Sequence, residues 1–117
     1  MTEVVVGVGA RPGTTAGEVL AAVDAVLPPG ARVVSLATVD RRAAEPGVQQ
    51  AAAARDWPLV GLPVDRLAGI PVPTVSARVA AALGTPSVAE AAALAVGGEL
   101  VVPKTAHGRV TVAVASR

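Results

Sequence analysis

The apolar residues of this chain come in short β-branched runs, and between those runs lie alanine-rich stretches opened by helix-capping signals. Residues 3–8 read EVVVGV, a short β-branched run that looks like a fully buried strand, and residues 31–39, ARVVSLATV, form a second. Between them Thr15-Ala16-Gly17-Glu18 has capping-box spacing, in which the Thr hydroxyl and the Glu carboxylate each satisfy a free N–H. Val19, Leu20, Val23, Val26 and Leu27 follow on one helical stripe, stopped by Pro28-Pro29-Gly30. The pattern then repeats. A charged connector, 41–47, leads into an alanine-rich helix ending near Arg55, and 57–62 (WPLVGL) forms a third strand. Residues 63–67 suit one helical turn, and 69–73 an extended Pro-rich loop. Ser76 caps a helix running to Leu83, broken at Gly84-Thr85-Pro86. Ser87-Val88-Ala89-Glu90 is a second capping box, opening a helix to Val96 that Gly97-Gly98 ends. Residues 99–103 and 109–115 read as two last strands, joined by a hairpin loop over 104–108. Alternating β and α elements predict a three-layer α/β/α sandwich around a mixed, largely parallel sheet of about five strands. Residues 1–117 are expected to form a single domain.

Composition narrows the chemistry. Of the 117 residues 52% are hydrophobic, yet alanine (26) and valine (23) dominate and Trp57 is the sole aromatic. A core of such small side chains requires helices packed close to the sheet. The absence of cysteine rules out disulfides, a thiolate nucleophile and Cys-ligated metal. His107 is the one imidazole, so a multi-histidine metal site is also excluded. One aromatic and a net charge of +1 argue against nucleic-acid binding. Pro, Gly or a charge interrupts every apolar stretch before the ~18 residues a membrane helix needs. The Met1-Thr2-Glu3 start lacks a basic n-region, and a cytoplasmic location is expected.

Ligands of open α/β sheets bind at the carboxyl ends of the strands. Four segments qualify: 7–13, 38–45, 61–74 and 85–90. Three of them precede helices, whose free N–H groups favour carboxylate or phosphate. The glycines of 7–13 fall one residue outside the dinucleotide spacing, and no Gly-Lys pair makes a P-loop. Those glycines are read more simply as turning the chain. Asp40, Arg41, Arg42 and Glu45 crowd one connector, which reads either as a solvated loop or as the rim of a site. Capping accounts for Glu90, and no Gly-x-Ser-x-Gly elbow supports a nucleophilic serine.

Several segments together resemble one family. Gly7-Val8-Gly9-Ala10-Arg11-Pro12-Gly13, Ala37-Thr38-Val39-Asp40-Arg41-Arg42-Ala43-Ala44-Glu45, Val72-Pro73-Thr74-Val75-Ser76, Gly84-Thr85-Pro86-Ser87-Val88-Ala89-Glu90-Ala91-Ala92-Ala93 and Val102-Pro103-Lys104, with the closing strand 110–115, are similar to the CobE proteins and the C-terminal domain of CbiG. The chain departs from the family at Ala10, often Cys, and at Arg42, often Lys. Arginine keeps the charge at the second position but not the Schiff-base or proton-transfer chemistry of lysine. The resemblance implies a part in cobalamin biosynthesis, acting on or binding a precorrin or cobalt-precorrin during corrin-ring assembly, with no cofactor beyond that corrinoid ligand. Other enzymes of the pathway are the implied partners, and an oligomer is compatible.

Two readings of the activity stand foremost, with a nucleotide-binding domain as the further alternative beside the near-miss glycine spacing. In the first, the chain is an accessory module that binds the intermediate, with Gly9, Arg11, Gly13, Arg42, Glu45, Ser87 and Lys104 as the contacts and Arg109 as a further cation. In the second it is a cobalt-precorrin-5A lactone hydrolase releasing acetaldehyde, as CbiG-like proteins are, with Glu90, Asp40 and His107 as candidate acid–base groups.

Overall fold

The structure, a computed structural model, describes residues 2–72 and 88–117. The chain runs β1 (Thr2–Ala10), α1 (Ala16–Val26), β2 (Ala31–Val39), α2 (Asp40–Ala43), α3 (Pro46–Ala54), β3 (Leu59–Leu62), α4 (Val64–Ala68), α5 (Val88–Val96), β4 (Leu100–His107) and β5 (Val110–Ser116). The expected Ser76 helix, the Gly84–Pro86 break and Ser87 lie outside the described residues. The five strands form one sheet in the order β3-β2-β1-β5-β4. β1, β2 and β3 are parallel, whereas β5 runs antiparallel to both β1 and β4. The sheet is thus mixed, and helices cover both of its faces. No helix among the described residues is long and apolar enough to cross a membrane.

The period of two in β1 sorts the core. Val4, Val6 and Val8 point to one face and pack with Val19 and Val23 of α1 and Val48, Ala51 and Ala52 of α3. Val5 points to the other face, where Ala37, Val39, Leu62 and Leu67 meet Val88, Ala91 and Ala92 of α5. The predicted capping box is present at α1. The Glu18 N–H donates to Thr15 Oγ1 at 3.2 Å, and the Thr15 N–H donates to Glu18 Oε1 at 3.0 Å. α1 and α3 are tied by Arg55, which grips both carboxylate oxygens of Asp24 at 3.0 and 2.9 Å and lies over the Trp57 ring at 5.5 Å.

α5 lies against the sheet where β1 has no side chain. A Cβ on Gly7 would come within 2.0 Å of the Ala89 carbonyl oxygen and 2.6 Å of the Ala93 nitrogen. Gly7, Ala89 and Ala93 therefore form a contact of backbone on backbone, which any larger residue at Gly7 would prise open.

Four elements differ from the sequence reading, one of them β3, which starts at Leu59 and not at Trp57. β1 continues through Gly9 to Ala10, because Gly9 and Ala10 pair with Thr111 and Val110 of β5. The 104–108 loop is not a loop: β4 runs to His107, which pairs with Val110, and Gly108-Arg109 makes a two-residue turn. Asp40 opens a short helix, α2, rather than a loop. Long-range pairing partners decided the two strand extensions, and a local pattern does not contain them.

The same substitution should act very differently two residues apart on β1. A Cβ on Gly9 would meet Val88, Thr111 and Ala89 at ordinary distances of 3.7–3.9 Å. Gly7→Ala is expected to cost about 3 kcal/mol or more, through overpacking against an unyielding backbone, and Gly9→Ala less than about 1 kcal/mol. Urea unfolding of the two variants checks this; equal midpoints would mean that α5 does not rest on β1 as described.

Candidate functional site

The carboxyl ends of β1 and β2 open into a cleft of about 350 Å³. Along β1 and β2 the ladder ends at the Gly7–Ala37 pair, and the buried Thr38 hydroxyl takes over by donating to the Val8 carbonyl at 2.7 Å. At this edge the helices also part, α1 and α3 to one face of the sheet and α5 to the other. The carboxyl ends of strands are where open α/β sheets hold their ligands. Gly9, Ala10, Val39, Val88, Ala89 and Thr111 supply the uncharged lining. Five cations, Arg11, Arg41, Arg42, Lys104 and Arg109, stand around it. No carboxylate or imidazole is among the described residues of the lining.

Each cation is carried by an element whose backbone is held elsewhere. Arg11 begins the turn Arg11-Pro12-Gly13-Thr14, with Pro and a left-handed Gly13 (φ +79°) at its centre, the pattern of a type II turn. The Thr14 hydroxyl closes it by donating to the Arg11 carbonyl at 2.7 Å. The start of α3 presses on this turn so closely that a Cβ on Gly47 would reach 1.9 Å from the Thr14 carbonyl. Glu45 joins the two loops. Its Oε1 accepts the Gly13 N–H at 2.9 Å, and its Oε2 is ion-paired with Arg42. Arg109, from the β4–β5 turn, donates to the Pro12 carbonyl at 3.0 Å and so reaches across to the first loop.

Lys104 comes from an irregular part of β4. Val102 pairs with Val114 and Thr105 with Val112, so the two residues Pro103 and Lys104 oppose the single Ala113. This is a β-bulge, which re-aims the side chains it carries. The Lys104 N–H there donates to Glu90 Oε2 at 2.9 Å.

The sequence candidates are distributed unevenly about this site. Gly9, Arg11, Arg42 and Lys104 line the cleft together, and Ala10 and Arg42, the two departures from the family pattern, both lie on its wall. Gly13 and Glu45 stand behind it as the clasp just described. Ser87 is outside the described residues, and with it one half of the capping box expected for Glu90. Glu90, Asp40 and His107 are not brought together. Glu90 is fully buried in the first turn of α5. Asp40 is exposed at the start of α2, and His107 is exposed at the end of β4. None of the three lines the cleft. Arg41, which the sequence places on the possible rim but not among the contacts, also lines the cleft. No cluster of three potential metal ligands occurs among the described residues.

Three carboxylates titrate below their ordinary values. The Thr15 N–H does this to Glu18, the Arg55 guanidinium to Asp24, and the Gly13 N–H, followed by Arg42, to Glu45. A depressed folded-state pKa contributes stability that is present above the unfolded value and is lost as pH falls through the folded one. These groups should therefore leave stability level from neutrality down to about pH 5, with the loss setting in at more acid pH. Glu45→Ala, which leaves no acceptor for the Gly13 N–H, should remove its share of the acid slope and quicken Gly13 amide exchange at neutral pH. Urea midpoints against pH, with amide exchange by NMR, measure both; a Gly13 amide unchanged in the variant would rule out the clasp.

Comparison with known proteins places the chain among relatives. A family described as "Cobalamin synthesis G C-terminus" matches residues 4–115. The crystal structure of CobE, a protein from the cobalamin (vitamin B12) biosynthetic pathway, superposes with a TM-score of 0.87 at 29% identity, covering 99% of this chain and 91% of that one. That of cobalamin biosynthesis protein chiG from Agrobacterium tumefaciens str. C58 gives 0.73 at 33% identity, covering 95% of each. A phosphoenolpyruvate transferase from Kitasatospora aureofaciens is 38% identical over 104 residues, which are 85% of this chain and 31% of that protein. The chain therefore spans about a third of that curated relative.

Proposed function

The chain belongs to the cobalamin synthesis G C-terminal family, and on that premise we propose that its cationic cleft binds a polycarboxylate precorrin or cobalt-precorrin during corrin-ring assembly, to hold it or pass it to another enzyme of the pathway. It is a cobalamin-biosynthesis protein of the CobE/CbiG C-terminal type.

The observation that carries the proposal is the charge arrangement of the cleft. A chain with a net charge of only +1 gathers five of its ten Lys and Arg around one opening. Of the carboxylates behind it, Glu45 accepts the Gly13 N–H and pairs with Arg42, and Glu90 accepts the Lys104 N–H. Precorrins are apolar macrocycles rimmed by acetate and propionate arms. Guanidinium and ammonium groups suit the arms, and a Gly, Ala and Val lining suits the ring. Hydrolysis of the lactone would need a general base within reach of a bound water. The described lining supplies none, and the segment 73–87 (PTVSARVAAALGTPS) contains no Asp, Glu or His. This favours binding over conversion.

The test uses uroporphyrin, an octacarboxylate tetrapyrrole, titrated into the purified chain, with phosphoenolpyruvate as a competing compact anion. The wild type should bind the porphyrin, and binding should weaken as salt is raised, since solvent-accessible charge pairs are screened. Arg11→Ala and Lys104→Ala should each weaken it about fivefold, the equivalent of roughly 1 kcal/mol per accessible pair. A precorrin incubated with the chain under anaerobic conditions should keep its mass. An affinity indifferent to both substitutions would sink the cleft as the site, and a ring-opened product would replace the carrier reading with a hydrolase. Displacement by phosphoenolpyruvate at equal concentration would shift the ligand class to small phosphorylated acids.

A further inference from the structure

Glu90 is the one fully buried acidic residue among those described, and neither capping nor the cleft lining accounts for the bond it makes to β4. It is the third residue of α5, the residue after Ala89, whose carbonyl lies against Gly7 of β1. Its place in the molecule is therefore set by the tightest contact between helix and sheet. From there its Oε2 accepts the Lys104 N–H at 2.9 Å. That N–H belongs to the bulge at which β4 carries one residue more than β5, and Pro103, the other bulged residue, has no N–H to give.

We infer that Glu90 is a positioning residue: its buried carboxyl group holds the 103–104 bulge of β4 against α5 and thereby sets the Lys104 side chain on the wall of the cleft. The geometry requires an acceptor at this point. A bulged N–H turned toward the protein interior is costly when left unpaired, and the bulge changes which side of the strand Lys104 faces. Without it, residues 103 and 104 would each face the opposite way relative to one end of β4, because one residue of slip exchanges the two faces of a strand. Glu90 thus acts on a ligand through Lys104 and does not itself touch the cleft. The role of Lys104 toward a polyanion rests on the reading of the cleft given above, whereas the clamp between Glu90 and β4 does not.

The experiment follows four variants, Glu90→Ala, Glu90→Gln, Lys104→Ala and Glu90→Ala/Lys104→Ala, by two readouts. The first is amide exchange of Lys104, referred to the amides of β1. The second is affinity for uroporphyrin. Glu90→Gln keeps an acceptor oxygen and should leave both within about twofold of wild type. Glu90→Ala should speed Lys104 exchange about tenfold or more while β1 stays protected, as expected for the loss of a buried partner. It should weaken porphyrin binding about as much as Lys104→Ala does, and the double variant should be no worse than Lys104→Ala alone, since residues acting through one another are not additive. Should Glu90→Ala fail to fold, Glu90→Asp withdraws the acceptor by one methylene and carries the same expectations.

Three results would overturn the assignment: a Lys104 amide still protected in a folded Glu90→Ala or Glu90→Asp, additive losses in the double variant, or a Glu90→Gln as impaired as Glu90→Ala. The last would mean that the carboxylate itself is needed. A wild type that does not bind uroporphyrin counts against the cleft reading, while the exchange of Lys104 continues to decide the clamp.

Discussion

The contact on which the rest of this structure depends is the one between α5 and β1 at Gly7. Backbone meets backbone there, with only the hydrogen of the glycine between the strand and the Ala89 carbonyl. A chain with 26 alanines, 23 valines and a single aromatic has few large side chains with which to fill a wide interlayer gap. It reaches core density by bringing its layers close together. That closeness fixes the height and rotation of α5, and with them the places of Val88 and Ala89 in the cleft and of Glu90 beneath β4.

Around the cleft, cations and anions have been assigned different tasks. The arginines and the lysine stand on the opening. Glu45 and Glu90 are spent on backbone N–H groups, one in the first loop and one in the β4 bulge. A carboxylate accepting a backbone N–H holds its loop by a charge-assisted bond, and Glu45 also offsets one of the five cations through its pair with Arg42. Arg109, by donating to the Pro12 carbonyl, ties the hairpin to the first loop. The result is a cleft ringed by cations in a nearly neutral protein. Likeness to CobE and to chiG, over nearly the whole chain in each case, places this frame in cobalamin biosynthesis.

The readable parts of the fold were those specified within a dozen residues. The Thr15–Glu18 capping box, the proline stop after α1 and the order of strands and helices follow from side chains that act on their own neighbours. Errors came where a distant partner decided. Gly9 looked like the start of a turn, yet it is strand, because Thr111 lies opposite it. Residues 104–107 looked like part of a hairpin loop, because a five-residue gap of ordinary loop length separates the two apolar runs. They are strand because Val110 to Val112 pair with them across a bulge. The candidate site divides the same way. Gly9, Arg11, Arg42 and Lys104 could be named from their positions at strand ends and in loops, and the cleft gathers them. Arg41 was legible only as part of a charged connector, and the fold turns it into lining.

By itself the sequence determined the alternation of elements, the α/β class, the small-residue core, the absence of thiol chemistry and the family, since each depends on residue type and local spacing. Tertiary structure alone decided which charges share a space. Arg11, Arg42, Lys104 and Arg109 lie up to about a hundred positions apart in the chain, and only the β3-β2-β1-β5-β4 order brings them to one edge. It also decided the task of Glu90, whose spacing from Ser87 suggested a cap, and whose carboxyl oxygen meets the Lys104 N–H across an interface between helix and strand. No local rule contains that bond, because its donor exists only where two strands pair with unequal numbers of residues.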